Sequence, residues 1–372
     1  MLHRERRIPA NAFTLDLDAV RRNARVLAEE ASKHGLEVLA MTKQIGRAPG
    51  FLDAVKAGGI AAGVAVDMQD ARALRNGGLA LGHVGHLVQV PQAEAAAAAA
   101  LNPAYWTVFS DDKAAEAAAG SQDQALLARI QAPGDVFYTG HEGGFPADEV
   151  VAVAERLDVL DGAHFAGITT FPALVFDIEA GEVRPTPNLA TLERAAERLR
   201  AAGVSDLVIN APGTTSSAVY PLLAAAGATQ VEPGHGLTGT TPLHAVRDLA
   251  ELPAVCYVSE VSHLHDGRAY VFGGGLYVDP VFPDYRLSAL LADGDEPRLV
   301  GAAIPPPAAI DYYGQLDYGE RPPRTGATVV FGFRIQAFVT RAYVVGITGV
   351  STDRVEVAGI WTGDGREVAW PI

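Results

Sequence analysis

The chain has 372 residues, of which 49% are hydrophobic and 20% charged, so it is long and apolar enough to build a large core and is not expected to be disordered. Its formal net charge of −15 argues against nucleic acid or an anionic membrane as a partner. Cys256 is the single cysteine, which excludes an intrachain disulfide and a thiolate metal cluster. With no signal peptide and no run of about 18 apolar residues, we expect a cytoplasmic protein without a membrane span.

Short β-like runs alternate with helix-like segments from residue 13 to residue 237, which is typical of β/α units around a parallel sheet. Eight strands after the first would close a (β/α)8 TIM-type barrel and leave the first strand to pair elsewhere. Helices are predicted over 17–32, capped by Asp18, over 95–100 and over 188–199. The predicted strands are 13–16, 38–43, 60–66, 79–84, 105–109, 125–131, 164–171, 206–210 and 229–234.

The pattern changes after about residue 241 to β-type runs separated by glycine and proline. This change predicts a mostly β second domain. We expect the barrel to span 12–240 and the β domain 241–372, with 1–11 joining the latter. The predicted runs are 254–261, 269–272, 328–330, 335–345 and 354–360.

The predicted strand 38–43 ends in Lys43, and a Gly/Pro loop follows. Barrel enzymes keep their chemistry at such strand ends. A partly desolvated lysine loses its proton more easily than a surface lysine and forms Schiff bases with carbonyl compounds or with pyridoxal phosphate. The alternative is a lysine that extends from the strand end into solvent.

Loops rich in Gly, Ser and Thr follow the last two predicted barrel strands, over 211–217 and 233–241. A phosphate needs backbone N–H groups and small residues that permit close approach, and barrels commonly bind phosphate at this position. Ordinary capped turns are the alternative. The candidate binding residues in and beside these loops are Asn210, Thr214, Thr215, Ser216, Gly234, His235, Gly236 and Thr238.

A lysine on the strand after the first helix, a Gly-rich loop after the last strand and a following β domain resemble the fold type III pyridoxal-phosphate enzymes. These form the alanine racemase-like family, to which the ornithine and diaminopimelate decarboxylases and D-threonine aldolase are related. The resemblance covers nearly the whole chain. It implies pyridoxal 5′-phosphate as cofactor, an internal aldimine on Lys43, a phosphate site at 234–239, and a homodimer in which the second subunit completes each site.

The tetrad Glu232-Pro233-Gly234-His235 is similar to the Glu-Pro-Gly-Arg of the decarboxylase branch, whose glutamate meets the pyridine nitrogen. Alanine racemases place an arginine there. A carboxylate keeps the ring nitrogen protonated and makes the cofactor a stronger electron sink, so the resemblance implies an enzyme whose Glu232 stabilises a quinonoid. A solvated strand-end charge is the alternative.

Several positions depart from the family pattern. The phosphate-binding tyrosine after the lysine is absent, and Arg47 or His235 is a candidate to replace it. Phe171 stands where the racemases place a histidine that stacks on the ring, although core packing is an equal alternative. The segment 333–336 lacks the metal ligands of the aldolases, so no metal is expected, and the pair His263 and His265 is more typical of an exposed hairpin.

Racemisation needs two bases on opposite sides of Cα. Lys43 is the expected base on one side. By resemblance to the Gly-x-Tyr element of the family's second domain, Tyr277 is the candidate for the other, with His265 also open.

The sequence therefore predicts a pyridoxal-phosphate-dependent amino-acid racemase. A metal-independent aldolase or decarboxylase of the same cofactor class is the first alternative, and a non-catalytic carrier of the cofactor is the second. A barrel enzyme that acts on a phosphorylated substrate through a Lys43 Schiff base would need no cofactor.

Overall fold

The computed structural model describes residues 1–45, 47–275, 287–294, 296–306, 309–332, 342–352 and 354–370. The chain divides into two compact units. The barrel unit comprises Arg21–Thr42 and Val55–Glu251, and the β unit comprises Met1–Val20, Lys43–Ala54 and Leu252–Ile372. Within the described residues, no helix has both the length and the hydropathy needed to cross a membrane.

The first helix begins where the sequence predicts but has a different cap. Oδ1 of Asp16 accepts the backbone N–H groups of Asp18 and Ala19, each at 3.1 Å, so Asp16 is the capping residue. The prediction of Asp18 as the cap is wrong, because Asp18 lies inside the first turn, and its carboxylate accepts the N–H of Gly349 at 2.8 Å. The α-helices are α1 (Leu17–Lys33), α2 (Pro49–Ala57), α3 (Met68–Asn76), α4 (Ala95–Ala100), α5 (Asp111–Ala119), α6 (Val150–Asp158), α7 (Pro187–Ala201) and α8 (Tyr220–Ala225).

Parallel strands of the barrel unit form a closed ring. The strands are hydrogen-bonded in the order β2-β13-β12-β9-β7-β6-β5-β4-β3, and β2 and β3 are two parts of one strand interrupted at Leu39. The path therefore returns to its start and closes a barrel of eight strands, as predicted. The first thirteen strands of the chain are β1 (Ala12–Asp16), β2 (Glu37–Val38), β3 (Ala40–Met41), β4 (Ala62–Val64), β5 (Ala80–Val84), β6 (Tyr105–Val108), β7 (Gln124–Gln131), β8 (Phe145–Pro146), β9 (Ala163–Thr169), β10 (Leu174–Asp177), β11 (Glu182–Pro185), β12 (Val208–Asn210) and β13 (Gln230–Val231).

In strand β7 and in the helix around 188–199, the apolar residues on which the predictions were based are buried or largely so. β7 is buried or nearly so along its whole length, as expected for a strand of a parallel sheet covered on both faces. The apolar residues of α7 are buried against the barrel unit. These are Leu189, Leu192, Ala195, Ala196 and Leu199.

The β unit has one largely antiparallel sheet, in the order β15-β18-β17-β16-β19-β14-β1-β20-β21. An additional pairing of β14 with β15 closes the first six strands into a ring. Strand β1 lies antiparallel to β14 and parallel to β20, so the first strand pairs outside the parallel barrel, as predicted. The remaining strands are β14 (Val255–His265), β15 (Arg268–Phe272), β16 (Ser288–Ala292), β17 (Arg298–Ala303), β18 (Tyr313–Asp317), β19 (Thr328–Phe331), β20 (Tyr343–Thr348) and β21 (Glu356–Trp361).

Gly167 on β9 offers a test of the barrel register. It pairs with Val208 of β12, and a Cβ atom added at Gly167 would lie 2.0 Å from the Val208 carbonyl oxygen. Gly167→Ala should therefore lower the free energy of unfolding by about 1–3 kcal/mol, because the two strands must separate to admit the methyl group. Urea denaturation measures the change. Gly301→Ala is the control, since its added Cβ would lie 3.7 Å from Cβ of Asp317; equal midpoints for the two variants would contradict the register.

Candidate functional site

Glu232 is a buried carboxylate at the carboxyl end of a barrel strand. It follows β13 directly, and its side chain is 0% exposed. Its Oε1 atom lies 2.6 Å from Nδ1 of His83 and accepts a hydrogen bond of 2.9 Å from Nδ2 of Asn210. Burying a carboxylate without hydrogen bonds is costly, and these two contacts offset that cost on one of its oxygens.

The hydrogen bonds continue through side chains of other barrel strands. Nε2 of His83 on β5 lies 2.6 Å from Oγ1 of Thr107 on β6. Asn210 on β12 accepts a hydrogen bond of 2.7 Å from Oγ1 of Thr169 on β9 and donates one of 2.7 Å to Oε1 of Gln230 on β13. Because the strand ladder fixes these residues relative to one another, the carboxylate is held in one orientation.

The charge state of Glu232 follows from its surroundings. Burial raises the pKa of Glu232, whereas the neighbouring imidazole of His86 and the hydrogen bonds from His83 and Asn210 lower it, and the pKa lies below its usual value. The carboxyl group is therefore ionised at neutral pH.

The second oxygen of Glu232, Oε2, is buried and has no hydrogen-bond partner among the described residues. Nε2 of His86 lies 3.8 Å away, which exceeds hydrogen-bond distance. An anionic oxygen that is buried without a donor is unfavourable, so a ligand that brings an N–H group to this atom would be bound favourably.

His83, His86 and Glu232 also have donor atoms that all lie within 4.8 Å of one another, a spacing that suits a metal ion. Both ring nitrogens of His83 are, however, in hydrogen bonds of 2.6 Å, and one of these bonds is to the carboxylate itself. A cation would have to break that bond to gain the imidazole lone pair, so the contacts describe a hydrogen-bonded network instead of a ligand set.

The two predicted phosphate loops lie against each other. A Cβ atom added at Gly236 would lie 2.8 Å from the backbone oxygen of Thr215, so the approach of the loops requires glycine there. Oγ of Ser216 is buried and has no hydrogen-bond partner within the part of the chain that the structure describes. This hydroxyl is suited to bind a phosphate oxygen. Thr214 has a positive φ of 43°, so the backbone is in the left-handed conformation at this residue.

Hydrogen bonds within the second loop shape it. The carbonyl of Gly234 accepts the N–H of Leu237 at 2.9 Å, and Nδ1 of His235 lies 3.1 Å from Oγ1 of Thr240. The hydroxyls of Thr238 and Thr240 are 2.8 Å apart. The backbone is therefore coiled into successive turns beside the end of β13.

Phe171 lies in an aromatic cluster beyond the end of β9. Its ring centroid is 5.7 Å from that of His86, 5.6 Å from that of Tyr138 and 5.6 Å from that of His141. The carbonyl oxygen of Phe171 accepts a hydrogen bond of 3.0 Å from Nη2 of Arg129, which also donates to the carbonyl of His141 at 2.8 Å. Arg129 thus joins two loops; burial lowers its pKa to about 10, so the guanidinium remains charged at neutral pH.

The remaining predicted residues belong to the β unit. Lys43 is half-buried and stands two residues beyond β3, and Arg47 is also half-buried. His265 ends β14 and is exposed, with its ring centroid 6.4 Å from that of Tyr270. Tyr277 and the segment 333–336 lie outside the described residues. The roles assigned to these residues stay predictions.

The hydrogen-bonded side chains around Glu232 form what we call the Glu232 network. Besides Glu232 and Asn210, this network contains four residues that were not predicted from the sequence: His83, Thr107, Thr169 and Gln230. Each is a polar residue within a short strand whose other residues are mostly apolar. That pattern is the available signal, because a polar side chain inside a buried strand needs a partner.

Two family models match the chain. The model described as "Alanine racemase, N-terminal domain" matches residues 15–242, and the model described as "YhfX-like, C-terminal domain" matches residues 256–357. The protein YhfX of Escherichia coli (strain K12) is 35% identical over 373 residues, covering 99% of this chain and 95% of that protein.

Solved structures share the fold at lower identity. D-threonine aldolase from Filomicrobium marinum is 19% identical and superposes with a TM-score of 0.70 over 96% of each chain. Alanine racemase from Corynebacterium glutamicum is 18% identical, with a TM-score of 0.62 over 87% of this chain and 90% of that one.

The lowered pKa of Glu232 predicts that this residue makes a pH-dependent contribution to the free energy of unfolding. Its usual value is 4.5, so the ionised group stabilises the native state above about pH 4.5, and this contribution is lost as the pH falls through the lower pKa of the folded state. Glu232→Gln should therefore weaken the decline in unfolding free energy below about pH 4.5. Urea denaturation across this pH range measures the slope.

The control is Glu155→Gln on α6, where the side chain is exposed. This variant should keep the slope of the unsubstituted protein. An unchanged slope in Glu232→Gln would contradict the assigned pKa direction.

Proposed function

Because the chain belongs to the alanine racemase N-terminal domain family, whose members bind pyridoxal 5′-phosphate, we propose that it is a pyridoxal-phosphate-dependent amino-acid racemase. The proposal names an amino acid as substrate and Cα as the reacting atom. We also propose that the protein works as a homodimer, as the resemblance to the family implies.

The observation that carries the proposal is the state of Glu232. Its Oε1 atom is held by His83 and Asn210, whereas Oε2 has no hydrogen-bond partner among the described residues. A protonated ring nitrogen is the kind of donor that an ionised, buried oxygen requires. When bound, the cofactor supplies an electron sink for a carbanion at Cα, and a carboxylate beside the ring nitrogen strengthens that sink.

The structure also has residues suited to bind the phosphate group of the cofactor. Oγ of Ser216 is a buried hydroxyl without a described hydrogen-bond partner, and Gly236 leaves no side chain between the two loops. The amide of Ser217 is less suitable, because it already donates to Oε1 of Glu251 at 2.6 Å. We therefore propose Ser216, with the backbone of 234–239, as the phosphate-binding elements.

Lys43 is the proposed point of covalent attachment and the base on one side of Cα. Its position two residues beyond β3 supports this role, because barrel enzymes carry reacting groups at the carboxyl ends of their strands. A second group must return the proton on the opposite side for inversion to occur. Tyr277 and His265 are the proposed candidates for that group.

A lyase is the second candidate function. Glu232 favours it, because cleavage of a bond at Cα by an aldolase or a decarboxylase also depends on a strong electron sink. The D-threonine aldolase named above has the same fold, which is compatible with this alternative.

Incubating the cofactor-loaded protein with single enantiomers of amino acids in D2O separates the two functions. Racemisation should give loss of optical purity together with deuterium at Cα, measured by chiral chromatography and mass spectrometry. Lys43→Ala should reduce the rate by about 10²–10⁴-fold, since it removes a general base.

Lys56→Ala on α2 is the matched control, because Lys56 is exposed, and it should retain the rate. Release of carbon dioxide or of an aldehyde without inversion would reject the racemase and support the lyase.

A further inference from the structure

The hydroxyl oxygen of Thr107 contacts His83, which is hydrogen-bonded to Glu232. Oγ1 of Thr107 lies 2.6 Å from Nε2 of His83, and the threonine is 0% exposed. Among the residues that the structure describes, this hydroxyl has no other hydrogen-bond partner. The proton of the Thr107 hydroxyl therefore has one acceptor within reach, the imidazole of His83.

These contacts admit one arrangement of protons in which every donor has an acceptor. An ionised carboxylate only accepts, so the proton between His83 and Glu232 belongs to Nδ1 of the imidazole. If Nε2 carried a proton as well, the Thr107 hydroxyl would have to accept it, and its own proton would be left without a described partner. The satisfied form is a neutral His83 that donates from Nδ1 and accepts at Nε2.

The protonation state of His83 determines the charge that Glu232 presents to a ligand. An imidazolium 2.6 Å from Oε1 would neutralise much of the carboxylate's charge. A neutral imidazole donates the same hydrogen bond but leaves the negative charge in place. The ion pair that Oε2 would form with a protonated ring nitrogen is then stronger.

We propose that Thr107 is a positioning residue: acting through His83, it keeps that imidazole neutral, so that the negative charge of Glu232 stays uncompensated and available to the ring nitrogen of pyridoxal 5′-phosphate. This inference rests on the function proposed above, because it takes the ring nitrogen as the partner of Oε2. Thr107 itself touches neither the cofactor nor the substrate in this scheme.

Substitution by valine removes the hydroxyl while nearly preserving the shape of the side chain. Nε2 of His83 then lacks a hydrogen-bond donor. The imidazole is therefore more stable if its proton moves from Nδ1 to Nε2 or if it binds a second proton. In the first case Glu232 must itself take a proton to keep the hydrogen bond, and in the second the imidazolium neutralises it. Both outcomes weaken the protonation of the ring nitrogen. Thr107→Ser keeps the hydroxyl and is the matched control.

The experiment uses nitrogen NMR of the full-length protein in two labelled forms. In protein labelled with 15N-histidine and free of cofactor, His83 is assigned by comparison with His83→Gln, and the spectrum reports which ring nitrogen carries the proton. In protein loaded with pyridoxal 5′-phosphate labelled with 15N at the ring nitrogen, the shift of that nucleus reports its protonation.

We expect His83 of the unsubstituted protein and of Thr107→Ser to be neutral with the proton on Nδ1, and the bound ring nitrogen to be protonated in both. Thr107→Val should change the His83 resonances and move the ring nitrogen toward its unprotonated shift. A merely structural role for Thr107 would change stability but leave the ring nitrogen protonated.

Two results would overturn the inference. One is a protonated Nε2 on His83 in the unsubstituted protein, which requires no variant to fold. The other is a Thr107→Val protein whose ring nitrogen stays as protonated as in the control. Glu232→Gln separates this failure from that of the proposed function: if the ring nitrogen is protonated in that variant too, Glu232 is not its partner and both proposals fall.

Discussion

The candidate site depends on the burial of one ionised carboxylate inside a parallel barrel. The side chain of Glu232 has no solvent contact, and an isolated charge in such a place would be strongly unfavourable. His83 and Asn210 satisfy one of its oxygens, and each is held in turn by a residue of a neighbouring strand, Thr107 and Thr169. The other oxygen is buried without a hydrogen-bond partner among the described residues, and the proposed function assigns it to the cofactor.

This arrangement explains why the polar residues are carried on strands. The parallel ladder fixes the spacing of adjacent strands, so a side chain at the end of one strand meets the side chains of its neighbours at set distances. A carboxylate exposed on a loop would be solvated by water. Its electrostatic interaction with a ring nitrogen would then be weaker, because solvent screens the charge. The barrel thus supplies low exposure, fixed geometry and hydrogen bonds together.

The sequence predicted the barrel well because β/α alternation is local information. Apolar runs and capped helices mark each unit, and the eight strands close as expected. The ends of strands were less predictable: 229–234 reads as one run, yet the strand covers Gln230–Val231. Pro233, which has no N–H, follows soon after and limits the ladder.

Glu232 was predicted from the resemblance of its tetrad to the Glu-Pro-Gly-Arg of the decarboxylase branch, whereas His83 was not predicted. The two residues are 149 positions apart, and their contact depends on how β5 and β13 are staggered around the ring. Hydrophobic patterning gives the period of a strand but not its register against a distant one. The same limit applies to Thr107 and Thr169, whose polar side chains read as ordinary strand residues until the strands are placed.

The central claim is that this protein binds pyridoxal 5′-phosphate through Lys43. The most direct measurement is the absorbance spectrum of the purified, cofactor-loaded protein before and after borohydride, followed by mass spectrometry of its peptides. The account predicts an absorbance band of the bound cofactor that borohydride abolishes, with the reduced cofactor found on the peptide that contains Lys43. No band after addition of the cofactor, or a label on a different lysine, would contradict it.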